Sequence, residues 1–153
     1  MHVFVIMKHK DRAVVTTRPD RTIASLAGLL TTHRIGAVPV TGDDGALAGI
    51  IGERDIVRGI AEHGAAALSL PVERLMVTGV PTCRPTDTIR EVMSVMTSQR
   101  VRHLPVIEDG RLQGIISIGD VVKQRLEAVE SEADDLRGYV SGVELGNVAM
   151  FQN

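Results

Sequence analysis

The sequence predicts an α+β fold built from two copies of one β-α-β-β-α unit. Three observations lead there: a duplication within the chain, apolar stripes at helical spacing, and paired apolar runs joined by turns rich in Gly and Asp. Of the 153 residues, 44% are hydrophobic and 24% charged, with a formal net charge of -2. That suits one ordinary domain or two small ones and is not the composition of a disordered chain.

The duplication is the strongest signal. Thr17–Val40 lies on Cys83–Val106 with eight identical pairs, among them Pro19/Pro85, Thr22/Thr88, Ile23/Ile89, Arg34/Arg100 and Pro39/Pro105. Gly45–Val57 lies on Gly110–Val122 with seven more, among them Gly49/Gly114, Ile51/Ile116 and Asp55/Asp120. Fifteen identities in 37 aligned positions exceed chance. Two copies indicate a pseudo-symmetric pair, since solenoids use three or more repeats.

Each copy opens with a short extended segment, Val14–Thr17 or Pro81–Arg84, that runs to a proline turn. A helix follows, with Ile23, Leu26, Ala27 and Leu30 in the first copy and Ile89, Val92, Met93 and Met96 in the second. This i, i+3, i+4, i+7 spacing makes one buried stripe, so both methionines are read as core. Thr88 with Glu91 forms a capping box, whereas the first copy has only Thr22 with Ser25. A strand carrying a proline follows (Ala37–Val40; His103–Val106), with that proline expected near its beginning or on an edge. The turns Gly42–Gly45 and Glu108–Gly110 lead to second strands, Leu47–Ile51 and Leu112–Ile116. Helices then start near Gly52–Asp55 and Ser117–Asp120. Ala61–Leu70 reads as the linker. The tail to about Arg137 is helical in pattern, with Val122, Leu126, Val129 and Leu136 on or near one face, and a less ordered end is expected beyond Gly138. The organisation is therefore a first motif over 8–62, a second over 72–125 and a C-terminal helix and tail over 126–153.

Several function classes are excluded. The only aromatic residues are Phe4, Tyr139 and Phe151, and the sequence pI is near 6.2, so neither base stacking nor bulk attraction to phosphate backbones is available. Apolar runs are too short for a membrane span, and no secretion signal is seen, which makes a cytoplasmic location the expectation. Cys83 is the lone cysteine and is expected to be small, buried and inert. The histidines show no metal-ligand spacing, and no catalytic triad, zinc motif, Gly-x-Gly-x-x-Gly turn or Walker loop occurs, so no enzyme, metal or catalytic cofactor is expected. Lys8 and Lys10 suit either a phosphate cover or a solvated arm. Glu130, Glu132, Asp134 and Asp135 read as a solvated acidic face.

The chemistry concentrates where an apolar strand gives way to a helix. Gly49–Asp55 reads Gly-Ile-Ile-Gly-Glu-Arg-Asp and Gly114–Asp120 reads Gly-Ile-Ile-Ser-Ile-Gly-Asp. One reading is a helix cap, with Ser117 accepting from the backbone and the aspartate near the positive dipole end. The other is a ligand site, since a carboxylate accepts bonds from both hydroxyls of a ribose. Asp55 recurs although Gly52 replaces the serine, which points beyond a serine cap.

These duplicated segments, with the two hydrophobic-Pro-Val strands and the Pro-x-x-Thr-Ile helix starts, resemble a tandem CBS (cystathionine-β-synthase) domain pair, or Bateman module, over about residues 8–125. The chain is similar to stand-alone proteins of that family. The resemblance implies a pseudo-twofold pair with two clefts, homodimerisation, and a bound adenosine compound such as AMP, ADP, ATP, NAD(H) or S-adenosylmethionine. It implies Asp120 at the ribose of one cleft with Ser117 assisting, Arg18, Ile23, Ile35 and Gly36 on the adenine, and Arg102 and His103 at the phosphates. It implies a second cleft with Asp55, Arg84, Ile89, Val101 and the Arg102 backbone. Gly36 and Ala37 bring that second cleft no phosphate-facing charge, so it is expected to be the weaker site. The expected role is a regulatory module that passes the ligand level to an unidentified protein partner. The alternative is a ligand-free dimer acting as an interaction scaffold.

Overall fold

The computed structural model describes residues 1–10 and 13–152, with side chains described as far as Val140. Its helices are α1 (Val3–His9), α2 (Ile23–His33), α3 (Glu53–His63), α4 (Ile89–Gln99) and α5 (Ile118–Gln152). Its strands are β1 (Ala37–Thr41), β2 (Leu47–Gly52), β3 (His103–Glu108) and β4 (Arg111–Ser117), paired as two antiparallel hairpins, β1-β2 and β3-β4. The chain divides into two compact units, Met1–Ile118 and Gly119–Asn153.

The duplication holds at the level of individual bonds. Both hairpins slip register one residue after the same position, Val40 in the first and Val106 in the second. The β3-β4 turn is the two-residue Asp109-Gly110, both at positive φ (51° and 73°), the backbone that matches strand twist. Glu53 N donates to Gly36 O at 3.0 Å, and its counterpart Ile118 N donates to Arg102 O at 2.8 Å. Arg34 and Arg100 both end their helices in the left-handed region at φ 53°, a cap conformation that ordinarily favours glycine or asparagine, so the backbone is repeated while the choice of arginine is not explained by it.

The expected opening strands are each reduced to a single parallel bridge, Thr17 to Val40 and Cys83 to Val106. Thr17 N donates to Pro39 O (3.0 Å) and Thr41 N to Thr17 O (2.9 Å), and Cys83 repeats this with Pro105 and Ile107. The next rung requires the N–H of residues 39 and 105, and proline has none. Pro39 and Pro105 are buried, each the third residue of a strand that forms one edge of a two-stranded sheet, as the sequence leads one to expect.

The N-terminus is not an arm. Val3 N donates to Asp87 O (2.9 Å), Phe4 N to Pro85 O (3.0 Å), and Met1 O accepts from Ile89 N (3.0 Å). Leu70–Met76 does the same to the first copy: Val72 N donates to Arg21 O, Glu73 N to Pro19 O, and Leu70 O accepts from Ile23 N. Val3, Ile6 and Met7 thus correspond to Val72, Leu75 and Met76, so each copy is completed by the segment that precedes the other. Val72 and Leu75 join Ile23, Leu26, Leu30, Val38, Val40 and Ile51 in one core, while Val3 and Ile6 are buried like Ile89, Val92, Met96, Leu104, Val106 and Ile116.

Three other expectations change. The supposed linker continues α3 to His63 and then winds into a tight 3-10 turn, Gly64–Ser69, with Ala67 fully buried; small alanines permit that close winding. Met93 is exposed, because α4 buries only the narrow Ile89, Val92 and Met96 stripe. The helix α5 passes through Gly138, Gly142 and Gly146 to Gln152; each glycine costs a helix about 1 kcal/mol against alanine, and none of them ends it.

Candidate functional site

The best-defined element of the site is the junction of β2 with α3. Gly52 is buried at the helix N-cap, and its N–H donates to Asp55 Oδ2 at 2.8 Å. Asp55 Oδ1 lies 3.1 Å from Arg58 Nη2, which also donates to Leu75 O at 3.1 Å. The Asp55 side chain is only 14% exposed. The carboxylate therefore secures its own helix from the N3 position, and a glycine at the N-cap does not prevent it. Its recurrence is compatible with capping after all. An ionised carboxylate offers about four acceptor sites, so two partners leave room for a hydroxyl.

A serine at position 52 would be crowded, since a Cβ there would stand 2.6 Å from Gly36 O. The two copies thus differ at this junction for a backbone reason. Ser117 ends β4 half-buried, and Asp120 stands in the first turn of α5, within the second compact unit. Neither is without a polar partner, and the same holds for His103.

The other expected residues fall in separate places. Arg18 pairs with Asp43 at the β1-β2 turn and lines a hollow of about 510 Å3 with Thr16, Arg21, Ser25 and His33. Ile35 and Gly36 line a second hollow, of about 530 Å3, between α2 and α3. Glu53 lines it too, its carboxylate 3.5 Å from where a Cβ on Gly36 would stand. Arg84 lines a third, of about 780 Å3, with Thr86, Asp87 and Asp109, and its N–H donates to Asp87 Oδ2 at 2.8 Å. Ile23 and Ile89 are buried at the starts of α2 and α4, in core positions. Val101 is half-buried and Arg102 exposed, and neither lines any of these hollows. Lys10 Nζ donates to Ile115 O at 2.8 Å, and Lys8 lies 5.7 Å over the Phe4 ring.

Glu53, Arg21 and His33 border these hollows and were missed. Only Arg21 carried a signal, one turn beyond Arg18. Burial pushes the Cys83 thiol up to about 12, with the Asp87 carboxylate adding to the rise. Among the described residues no cluster of His, Cys, Asp and Glu suits a metal ion, and no helix is long and apolar enough to cross a membrane.

Two pseudo-equivalent α+β motifs, completed by exchanged segments and bearing an aspartate after the second strand, define a pseudo-symmetric pair of one duplicated module. The model of the CBS domain matches residues 6–62 and 72–127, and the chain belongs to that family. It is 34% identical over 139 residues to the mitochondrial CBS domain-containing protein CBSX3 of Arabidopsis thaliana, covering 88% of this chain and 68% of that protein. The CBS-domain protein ATU1752 of Agrobacterium tumefaciens superposes with a TM-score of 0.78 at 48% identity, over 82% of this chain and 99% of that one. The CBS domain pair of MJ0100, solved in complex with 5′-methylthioadenosine and S-adenosyl-L-methionine, shares the fold at TM-score 0.73 and 24% identity, over 85% and 98% of the two chains. Pairs of this kind are commonly regulatory and ligand-binding rather than catalytic.

Proposed function

We propose that this chain is a homodimeric, cytoplasmic sensor module that binds an adenosine-containing ligand (AMP, ADP, ATP or an NAD-type dinucleotide) and passes its level to a protein partner. The observation that carries the reading is the duplicated strand-to-helix junction with its aspartate. At Asp55 the carboxylate is nearly buried yet keeps acceptor capacity for a sugar hydroxyl. Asp120, its equivalent in the repeat, is the proposed ribose acceptor of the principal site, with Ser117 assisting and Arg102 and His103 the phosphate-facing pair. Arg18, Ile23, Ile35 and Gly36 are the proposed adenine side. Asp55, Arg84, Ile89 and Val101 belong to a weaker second site. The adenosine compounds held by the MJ0100 pair support the ligand class through the fold alone. The free, buried thiol suits a reducing compartment, and exposed Val57 and Ile60 on α3 leave apolar surface for a second copy. Signalling requires that ligand bind one state of the module more tightly than another.

The cap that Asp55 forms favours a second reading, a ligand-free interaction scaffold with purely structural aspartates. Thermal scans separate the two. At a ligand concentration one hundred times Kd, a sensor gains about 2.7 kcal/mol, which raises Tm by roughly 5–10 °C for this length. Scans with AMP, ADP, ATP, NAD, NADH and S-adenosylmethionine are expected to reveal at least one such rise. A flat response to all six leaves the scaffold.

A further inference from the structure

The helix α5 carries a feature that ligand binding leaves unused. Val122, Leu126, Val129, Ala133, Leu136 and Val140 follow one another at alternating steps of four and three residues. The sequence keeps the same steps on to Val143, Asn147 and Met150, within the helical span. This is the 3.5-residue period of a coiled-coil seam, with Val122, Val129 and Leu136 at d and Leu126, Ala133 and Val140 at a. A core-facing surface helix would need a wider stripe at a period of 3.6. Most of its described residues are exposed: Leu126 is 56% exposed and Leu136 63%, Val122, Val129 and Val140 are exposed as well, and Ala133 is half-buried.

The flanking charges say what covers it. Arg125 and Glu132 occupy g, and Glu130 and Arg137 occupy e. In a parallel pair of helices, a g residue reaches the e residue five positions later on the other strand. Arg125 then meets Glu130 of the partner subunit, and Glu132 meets Arg137 of the partner subunit, so the symmetric pair holds four attractive contacts. The Arg137–Asp134 approach within one helix is 3.9 Å and solvent-exposed, and it does not hold the arginine back. Gly138 falls at f, away from the seam. The acidic Asp134 and Asp135 sit at b and c, on the outer surface, so the run of acids needs no basic partner.

We infer that α5 is a self-association element, which pairs with α5 of a second copy of this chain as a parallel, in-register, two-stranded coiled coil. The inference rests on the seam and its charges alone, and stands or falls separately from nucleotide binding.

The test uses the full chain with Val129→Cys and Leu136→Cys made separately. Both sites are exposed d positions where the substitution leaves the fold intact, as far-ultraviolet circular dichroism will verify. Cys83 supplies no background, being buried with a thiol that stays protonated. In a parallel in-register pair each new cysteine meets its own copy, so both variants are expected to give a reducible covalent dimer under mild oxidation. An antiparallel pair lets at most one position meet itself, so crosslinking of only one variant overturns the parallel geometry. Crosslinking of neither overturns the inference outright. Sedimentation then tells whether the homodimer reading survives through another face (dimer mass) or falls as well (monomer mass). Adding Glu130→Arg to the Leu136→Cys chain faces Arg125 with arginine and is expected to cut the crosslinked fraction several-fold at low salt. Adding Arg125→Glu as well is expected to restore it; a fraction that does not respond overturns the charge pairing.

Discussion

Cys83 shows how a single side chain reports on its surroundings. It is 5% exposed on the parallel bridge to β3, and burial together with Asp87 raises its thiol from 9.0 to about 12. At pH 8 the native thiol is thus almost wholly protonated, and a thiol reagent is expected to modify it only after denaturant is added. Folding stability has a matching pH dependence. Above pH 9 the unfolded chain ionises this thiol while the folded one keeps its proton, so the folded state binds more protons and stability falls as pH rises from about 9 to about 12. Urea unfolding of Cys83→Ala is expected to lose that part of the alkaline slope; an unchanged slope assigns it to other groups. That Cys83 is a small buried residue was legible from the absence of any sequence signature for a base that would activate it. The exposure of Met93 was not, because spacing marks a helix face but not how wide the neighbouring core is. Gly52 was legible only as a missing hydroxyl. Its closeness to Gly36 O depends on how two chain segments approach, which no local pattern encodes.

Among the elements, capped helices and turns were the most readable, because their signals are local. Thr88 accepts from Glu91 N at 3.1 Å while Glu91 Oε2 accepts from Thr88 N at 3.0 Å, and Thr22 accepts from Ser25 N at 3.1 Å. Elements defined by distant partners were misread. The opening strands needed rungs that Pro39 and Pro105 deny them. The Ala61–Leu70 stretch looked like a linker because its packing partners lie in α2 and α3. The clearest omission is α1, whose seven residues are too few for a periodic signal. Its signature was present as a second alignment, Met1–Met7 on Leu70–Met76, in which Val3/Val72 and Met7/Met76 are identical. Ile6 is 4% exposed, as is its counterpart Leu75. Ile6→Ala is therefore expected to cost about 2–5 kcal/mol, comparable to Leu75→Ala, despite its position six residues from the terminus. Urea denaturation of the two variants makes the comparison. A loss under ~1 kcal/mol for Ile6→Ala alone would restore the view of this segment as a loose arm.

At the scale of the whole molecule, duplication made the fold legible, and the departures from it distinguish the two aspartate junctions. Asp55 and Asp120 occupy equivalent positions, but the residues around them have diverged. Gly36 and Ala37 stand where the second copy has Arg102 and His103. The acid Glu53 faces Gly36, and its counterpart is Ile118. A phosphate near Gly36 would meet a carboxylate instead of a guanidinium, and like charges raise the free energy of such binding. The family's two clefts are thus expected to be unequal, with one nucleotide bound per chain. Titration calorimetry at saturating nucleotide tests this through stoichiometry, and two variants assign the site. Asp120→Ala removes a charge-assisted contact of about 1.5–3 kcal/mol, which weakens binding roughly 10- to 150-fold. Asp55→Ala is expected to leave stoichiometry and affinity near wild type while lowering stability by about 0.5–2 kcal/mol through the lost cap. Two equivalent ligands per chain, or a binding loss at Asp55 equal to that at Asp120, would mean that the charge around each aspartate does not set its affinity.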